Sequence, residues 1–460
     1  MRKPFCLPLV ALVLLGSDAG CTSLPKVSDV IDESSAQSPP QIMSARGLLS
    51  PEQSRALMDR LKRAAAPTDM LERYSAVIES VSGSPLTSGN AVTLLADGPA
   101  TYAAMFAAIE GARDHVNLET FIIEDDATGR RFADLLLKKQ AQGVQVNLVY
   151  DSRGSSGTPE AFFRRLRDAG IRVLAFNPVN PLNARESWNL THVDHRKLLI
   201  VDGAVVIMGG INISAVYASR LSGRKSGNDG PRPWRDTDVR IEGPVVAEFQ
   251  KLYLETWQGQ KGAPLPERKY FPEPRAQGKM LVRAVASSAG EANRLTFVLY
   301  VAAITFAERS LHVTNAYFVP DEETTRALCD AAARGVDVKL VLPGTTDASM
   351  TVNAGRYVYA ELLSAGVKIF ERRDVLMHAK TAVVDGAWST VGSTNMDFWS
   401  FSRNDEVNAV ILSREFAAEM ETMFAGDVAK SHEILAGEWA RRPRFDRVKE
   451  WFAHQFQRWL

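Results

Sequence analysis

Two short stretches of this chain carry residues that could do chemistry, and they carry the same ones. The first runs His195-Arg-Lys197, four apolar residues, Asp202, six residues, then Gly209-Gly210-Ile-Asn212. The second runs His378-Ala-Lys380, four residues, Asp385, six residues, then Gly392-Ser393-Thr-Asn395. In both, Lys lies at +2 from His, Asp at +7, Gly at +14 and Asn at +17. Three such matches following two chance His-x-Lys triplets would arise roughly once in ten thousand trials. The site is duplicated.

A Lys beside each His argues against a metal, because Lys is not a usual ligand. It argues for an anion. Lys supplies a point charge, Asn an amide donor, and Gly a close backbone approach. A phosphate between the copies would meet His195, Lys197, Asn212, His378, Lys380 and Asn395. One imidazole can attack phosphorus while the other protonates the leaving oxygen. Each motif is trailed by an acid able to hold a His nitrogen, Glu406 after the second and Asp236, preferred over Asp238, after the first. Asp202 and Asp385 open Asp-Gly turns and read as structural supports.

The elements that must position these groups follow from the pattern. Leu198–Val201 and Thr381–Val384 are apolar runs expected as buried strands, each closing in a hairpin turn. Upstream of each, helix and strand alternate in the same order. The matching pieces include Gly143-Val-Gln-Val with Gly335-Val-Asp-Val, and Gly170-Ile-Arg-Val with Gly366-Val-Lys-Ile. In each, Gly should end a helix just before a strand. This predicts an α/β fold of two repeats with mixed sheets, related by a pseudo-twofold and sharing one active site.

The paired motifs resemble those of the phospholipase D superfamily, and the surrounding text is most similar to bacterial cardiolipin synthases, from about Ala91 to Phe424. Gly210 departs from the family pattern, standing where Ser393 stands in the second copy. The resemblance implies a catalytic set of His195, Lys197, Asp202, His378, Lys380 and Asp385, with phosphoryl contacts from Asn212, Ser393 and Asn395 and no cofactor or metal. It further implies phosphatidyl transfer to phosphatidylglycerol through a phosphohistidine, with His195 as nucleophile and His378 as acid/base. The donor is phosphatidylglycerol or phosphatidylethanolamine. Hydrolysis of phospholipid or nucleic acid by the same site is the alternative, and a non-catalytic lipoprotein the third reading.

Composition narrows the classes. Lys plus Arg and Asp plus Glu both number 54, which argues against a dedicated nucleic-acid binder. Three cysteines imply no disulfide framework. Residues 1–21 read as a signal peptide ending in Ala19-Gly20-Cys21, which resembles a lipobox except at Asp18. Either Cys21 is acylated or the segment remains as an anchor, and both place the protein on a membrane outside the cytoplasm.

The remaining expectations concern layout. Residues 22–48 should be a flexible tether and 49–90 a helical lead-in. The two repeats should span 91–265 and 266–430. A C-terminal amphipathic helix is expected in 431–460, its aromatic face lying in a membrane interface or packing on the body. The loops 178–188 and 219–234 flank the first motif and are candidates for substrate selection.

Overall fold

A computed structural model describes residues 24, 26–33, 40–63, 69–178, 189, 191–219, 232–289 and 294–460. Cys21, most of the 178–188 loop and most of the 219–234 loop lie outside them.

The strand order of the first half is Arg172–Phe176, Gln145–Asp151, His115–Thr120, Leu198–Val201, Val205–Gly209, Asp238–Glu242 and Leu86–Leu95. The second half repeats it as Lys368–Arg372, Asp337–Pro343, Ser310–Thr314, Thr381–Val384, Trp388–Gly392, Asn404–Leu412 and Met280–Ser287. In each half the first three strands are parallel and the rest antiparallel, giving the mixed sheet expected. The last strands of the two orders pair with each other, antiparallel, with Met280 opposite Asn90 and Val282 opposite Thr87. Equivalent strands meeting antiparallel is what a pseudo-twofold requires.

Local chemistry explains the elements. The hairpins after the motif strands turn through Asp202-Gly203 and Asp385-Gly386, all four residues at positive φ, the type I′ pattern that matches strand twist. Gly170 and Gly366 end their helices at φ +86° and +99°, a region costly for any residue with a side chain. Ser50 and Gln53 cap the helix Pro51–Arg63 reciprocally. A central core between the halves joins Val206, Met208 and Phe249 to Val391, Val407 and Phe416, all fully buried.

Two expectations are corrected. The stretch 22–48 is not a simple tether: it contains a helix, Val27–Glu33, and a strand, Ile42–Ser44, that pairs with Leu86-Thr87. Val27 and Ile42 are completely buried, in the same core as the helix Leu295–Phe306. That helix is apolar all round and needs cover on every side, which few apolar residues in an otherwise polar segment suffice to give. Residues 431–460 do not form one helix. A strand, Ser431–Ile434, is followed by helices Ala436–Ala440 and Arg444–His454 and a terminal 3₁₀ turn. Pro443 has no N–H to continue a helix and starts a new one instead.

Candidate active site

Each motif His enters the site on a two-residue parallel ladder supplied by the other half. Val193-Asp194 pairs with Asn404-Asp405, and His195 N donates to Asp405 O at 2.9 Å. Reciprocally, Leu376-Met377 pairs with Trp234-Arg235, and His378 N donates to Arg235 O at 2.7 Å. The residue after each partner segment is the acid. The acids therefore serve crosswise: Nδ1 of His195 donates to Glu406, 3.0 Å from both oxygens, and Nδ1 of His378 donates to Asp236 Oδ2 at 2.6 Å. With Nδ1 protonated and held, Nε2 of each ring is left to the substrate, carrying the lone pair that a nucleophile or base needs or, in the imidazolium, the proton that an acid gives. Glu406 and Asp236 are wholly buried.

Of the two acids after the first motif, Asp236 is the one that stands at an imidazole. Asp238 turns inward and accepts from Ile211 N at 3.1 Å, fixing the glycine turn of the first motif.

The lysines sit on the same side as their histidines, each ammonium folded back onto the carbonyl of its own motif His. Burial drives the Lys197 pKa down to about 7 and that of Lys380 to about 8. Burial also lowers both imidazoles, His378 to about 4. All four groups thus hold their protons less tightly than usual, and a phosphodiester anion beside them would favour the charged forms.

The halves differ in detail. Ser393 donates its hydroxyl to Glu406 and is completely buried, so it fixes the carboxylate instead of reaching a phosphoryl oxygen as expected. Opposite it, a Cβ on Gly210 would lie 2.6 Å from Asp236 Oδ2 and 2.7 Å from Cγ. The missing Ser is therefore matched by the acid that lies against that position. Asn212 is engaged, its Oδ1 accepting from Ile122 N at 3.1 Å and its Nδ2 donating to Tyr217 OH at 3.3 Å. The Asn395 side chain makes no hydrogen bond within the described residues, and its Oδ1 is buried.

Asp202 and Asp385 are not part of the chemistry, although the motif counts them in. Asp202 accepts from the backbone N–H groups of Arg113, Asp114 and His115 at 2.8–2.9 Å. Asp385 does the same for Glu308, Arg309 and Ser310 at 2.8–3.1 Å. Both lie at the far end of the motif strand from its His, pinning the hairpin to the start of the neighbouring strand.

Pattern matching missed the aromatic surroundings. Ring centroids of Trp234, Tyr317 and Tyr217 lie 4.9, 5.8 and 6.0 Å from that of His378, whereas His195 has Phe121 at 5.1 Å. Trp234 stands two residues before Asp236, and that adjacency was the available signal. His192, three residues before His195, binds Asp405 Oδ1 at 2.7 Å and so braces the first ladder.

A family profile described as "Cardiolipin synthase, PLD-like domain" matches residues 105–220 and 300–428, one segment around each motif. The chain belongs to this family. A cardiolipin synthase A of Pseudomonas putida (strain W619) is 34% identical over 79% of this chain and 74% of its own length. A cardiolipin synthase of Geobacillus thermodenitrificans (strain NG80-2) is 33% identical over 80% of this chain and 72% of its own. In fold, the crystal structure of phosphatidylserine synthase from Haemophilus influenzae Rd KW20 superimposes with a TM-score of 0.61 at 12% identity, covering 83% of this chain and 98% of that one. Among the described residues no helix is long and apolar enough to cross a membrane.

Proposed function

We propose that this chain is a phosphatidyltransferase that makes cardiolipin from phosphatidylglycerol and a donor phospholipid. The observation that carries the reading is the reciprocal pair of imidazoles, each with Nδ1 held by a buried carboxylate from the other half. His195 Nε2 attacks phosphorus, the bond to the headgroup oxygen breaks, and His378 delivers a proton to that oxygen. His378 then takes the proton of a phosphatidylglycerol hydroxyl, whose oxygen displaces His195 from phosphorus. Lys197, Lys380 and the Asn395 amide stabilise the charge that develops on the phosphoryl oxygens. The assignment of the two histidines follows the family resemblance. The N-terminal pattern ending at Cys21 supports action on the extracytoplasmic side of a membrane, with an acyl anchor.

The test is to incubate purified protein with phosphatidylglycerol vesicles, with and without phosphatidylethanolamine, beside His195→Ala. Cardiolipin from the unsubstituted protein alone is expected, and its dependence on the second lipid identifies the donor. Phosphatidic acid without cardiolipin would replace the transferase with a hydrolase.

A further inference from the structure

The helix Arg444–His454 and the turn after it are packed inside out. The side chains that face the body at 3% exposure are Glu450 and Ala453. Glu450 is satisfied by a bidentate pair with Arg442, and His454 stacks on Tyr357 at 4.2 Å. The aromatic side, Phe445, Val448, Trp451, Phe452, Phe456 and Trp459, faces outward at 39–69% exposure. A surface helix normally does the reverse, so a continuous apolar face left outside marks a contact with something apolar.

Three observations choose the occupant. First, residues 436–460 carry six Lys and Arg against three acids, and Arg441, Arg444, Arg447, Lys449 and Arg458 are exposed around the aromatics. Trp and Phe ringed by cations suit an interface of anionic lipid. Second, the face adjoins the site. Trp459 stacks with Arg403, which follows the helix Phe398–Ser402, and that helix begins three residues after Asn395. Third, an N-terminal segment lies beside it. Leu24 and Lys26 line a cavity of about 760 Å³ with Phe398, Gln457 and Arg458. Cys21, the expected acylation point, stands three residues earlier, at most about 10 Å of extended chain.

We infer that this C-terminal aromatic face is a membrane-docking surface that seats the catalytic body on anionic phospholipid, on the side where its lipid substrates enter. The inference rests on the lipid-transfer reading for its substrate and on the exposed face for its geometry.

The experiment has two arms, both using the full chain. In the first, the protein is added to phosphatidylglycerol vesicles with brominated acyl chains, and Trp emission is compared with that of Trp451→Phe/Trp459→Phe. Quenching present in the first and lost in the second is expected. In the second arm, Trp451→Ser/Phe452→Ser/Trp459→Ser is assayed on vesicles and on a short-chain, monomerically dispersed phosphatidylglycerol. Vesicle turnover should fall about tenfold or more while turnover of the dispersed lipid stays within about twofold. Unquenched Trp451 and Trp459, or equal loss on both substrates, would overturn the docking surface. So would a mass doubling abolished by the triple substitution without effect on vesicle turnover, which would assign the face to a second copy. If the unsubstituted protein turned over neither lipid, the transferase reading would fall and the quenching arm would still decide the surface.

Discussion

The two halves of the active site are alike in backbone and unlike in side-chain support. Both histidines enter on a borrowed ladder and both hold a carboxylate through Nδ1. But Glu406 is further gripped by Ser393, whereas Asp236 fills the space a second Ser would need. Among the described residues His195 faces one aromatic ring and His378 three. The duplicated fold has thus diverged around the two imidazoles and has stayed symmetric at the hairpins, where Asp202 and Asp385 make the same backbone contacts.

The strongest way to break the comparison is to remove each imidazole in turn. His195→Ala and His378→Ala should each lower turnover by roughly 10⁴-fold. With a good leaving group, His378→Ala alone should still form phosphohistidine, detectable by mass spectrometry of alkali-quenched protein, because the P–N bond is acid-labile. Phosphorylation seen only in His195→Ala would reverse the roles.

Next come the acids. Glu406→Gln and Asp236→Asn should each cost roughly 10³-fold by releasing the tautomer. Kinetics of double variants should show Glu406→Gln nearly silent on top of His195→Ala, and Asp236→Asn nearly silent on top of His378→Ala. Coupling within each half would contradict the crossed arrangement.

A smaller effect should sharpen the asymmetry. Gly210→Ser forces a side chain against Asp236 and should cost about 1–3 kcal/mol of stability, read as a lower thermal midpoint. Ser393→Gly removes only one charge-assisted hydrogen bond and should lower turnover about tenfold. Equal effects of the two would deny that the acids explain the Gly/Ser difference.

The mildest test is pH. Because burial lowers the lysine pKa values to about 7 and about 8, the free enzyme loses positive charge as pH rises through that range. A plot of kcat/KM should therefore decline on the alkaline side above about 7. Bound phosphodiester favours the charged amines, so the same limb in kcat should lie higher. Coincident limbs would mean that the lysines do not face the anion.

The sequence made the site legible because its chemistry recurs at fixed offsets. His195, Lys197, His378 and Lys380 converge, and the α/β repeats around them follow from Gly-terminated helices and apolar runs. What escaped was long-range. No local pattern says that Glu406 belongs to His195, because that depends on two-residue ladders between segments 211 positions apart. Ser393 gave a hydroxyl at the right offset, and only the fold shows it spent on a carboxylate. Val27 and Ile42 lie in a polar stretch whose composition says tether, yet the all-apolar helix Leu295–Phe306 draws them into the core. The C-terminal helix was legible as amphipathic, and its orientation was not, since periodicity finds a face without saying where it points.

The crossed carboxylates also order events in time. A ribosome delivers His195 long before Glu406, and until its own ladder has closed each imidazole lacks its partner. A half-folded chain therefore lacks the oriented imidazoles that the chemistry needs. Competence arrives only with the whole topology, so the fold acts as its own safety catch.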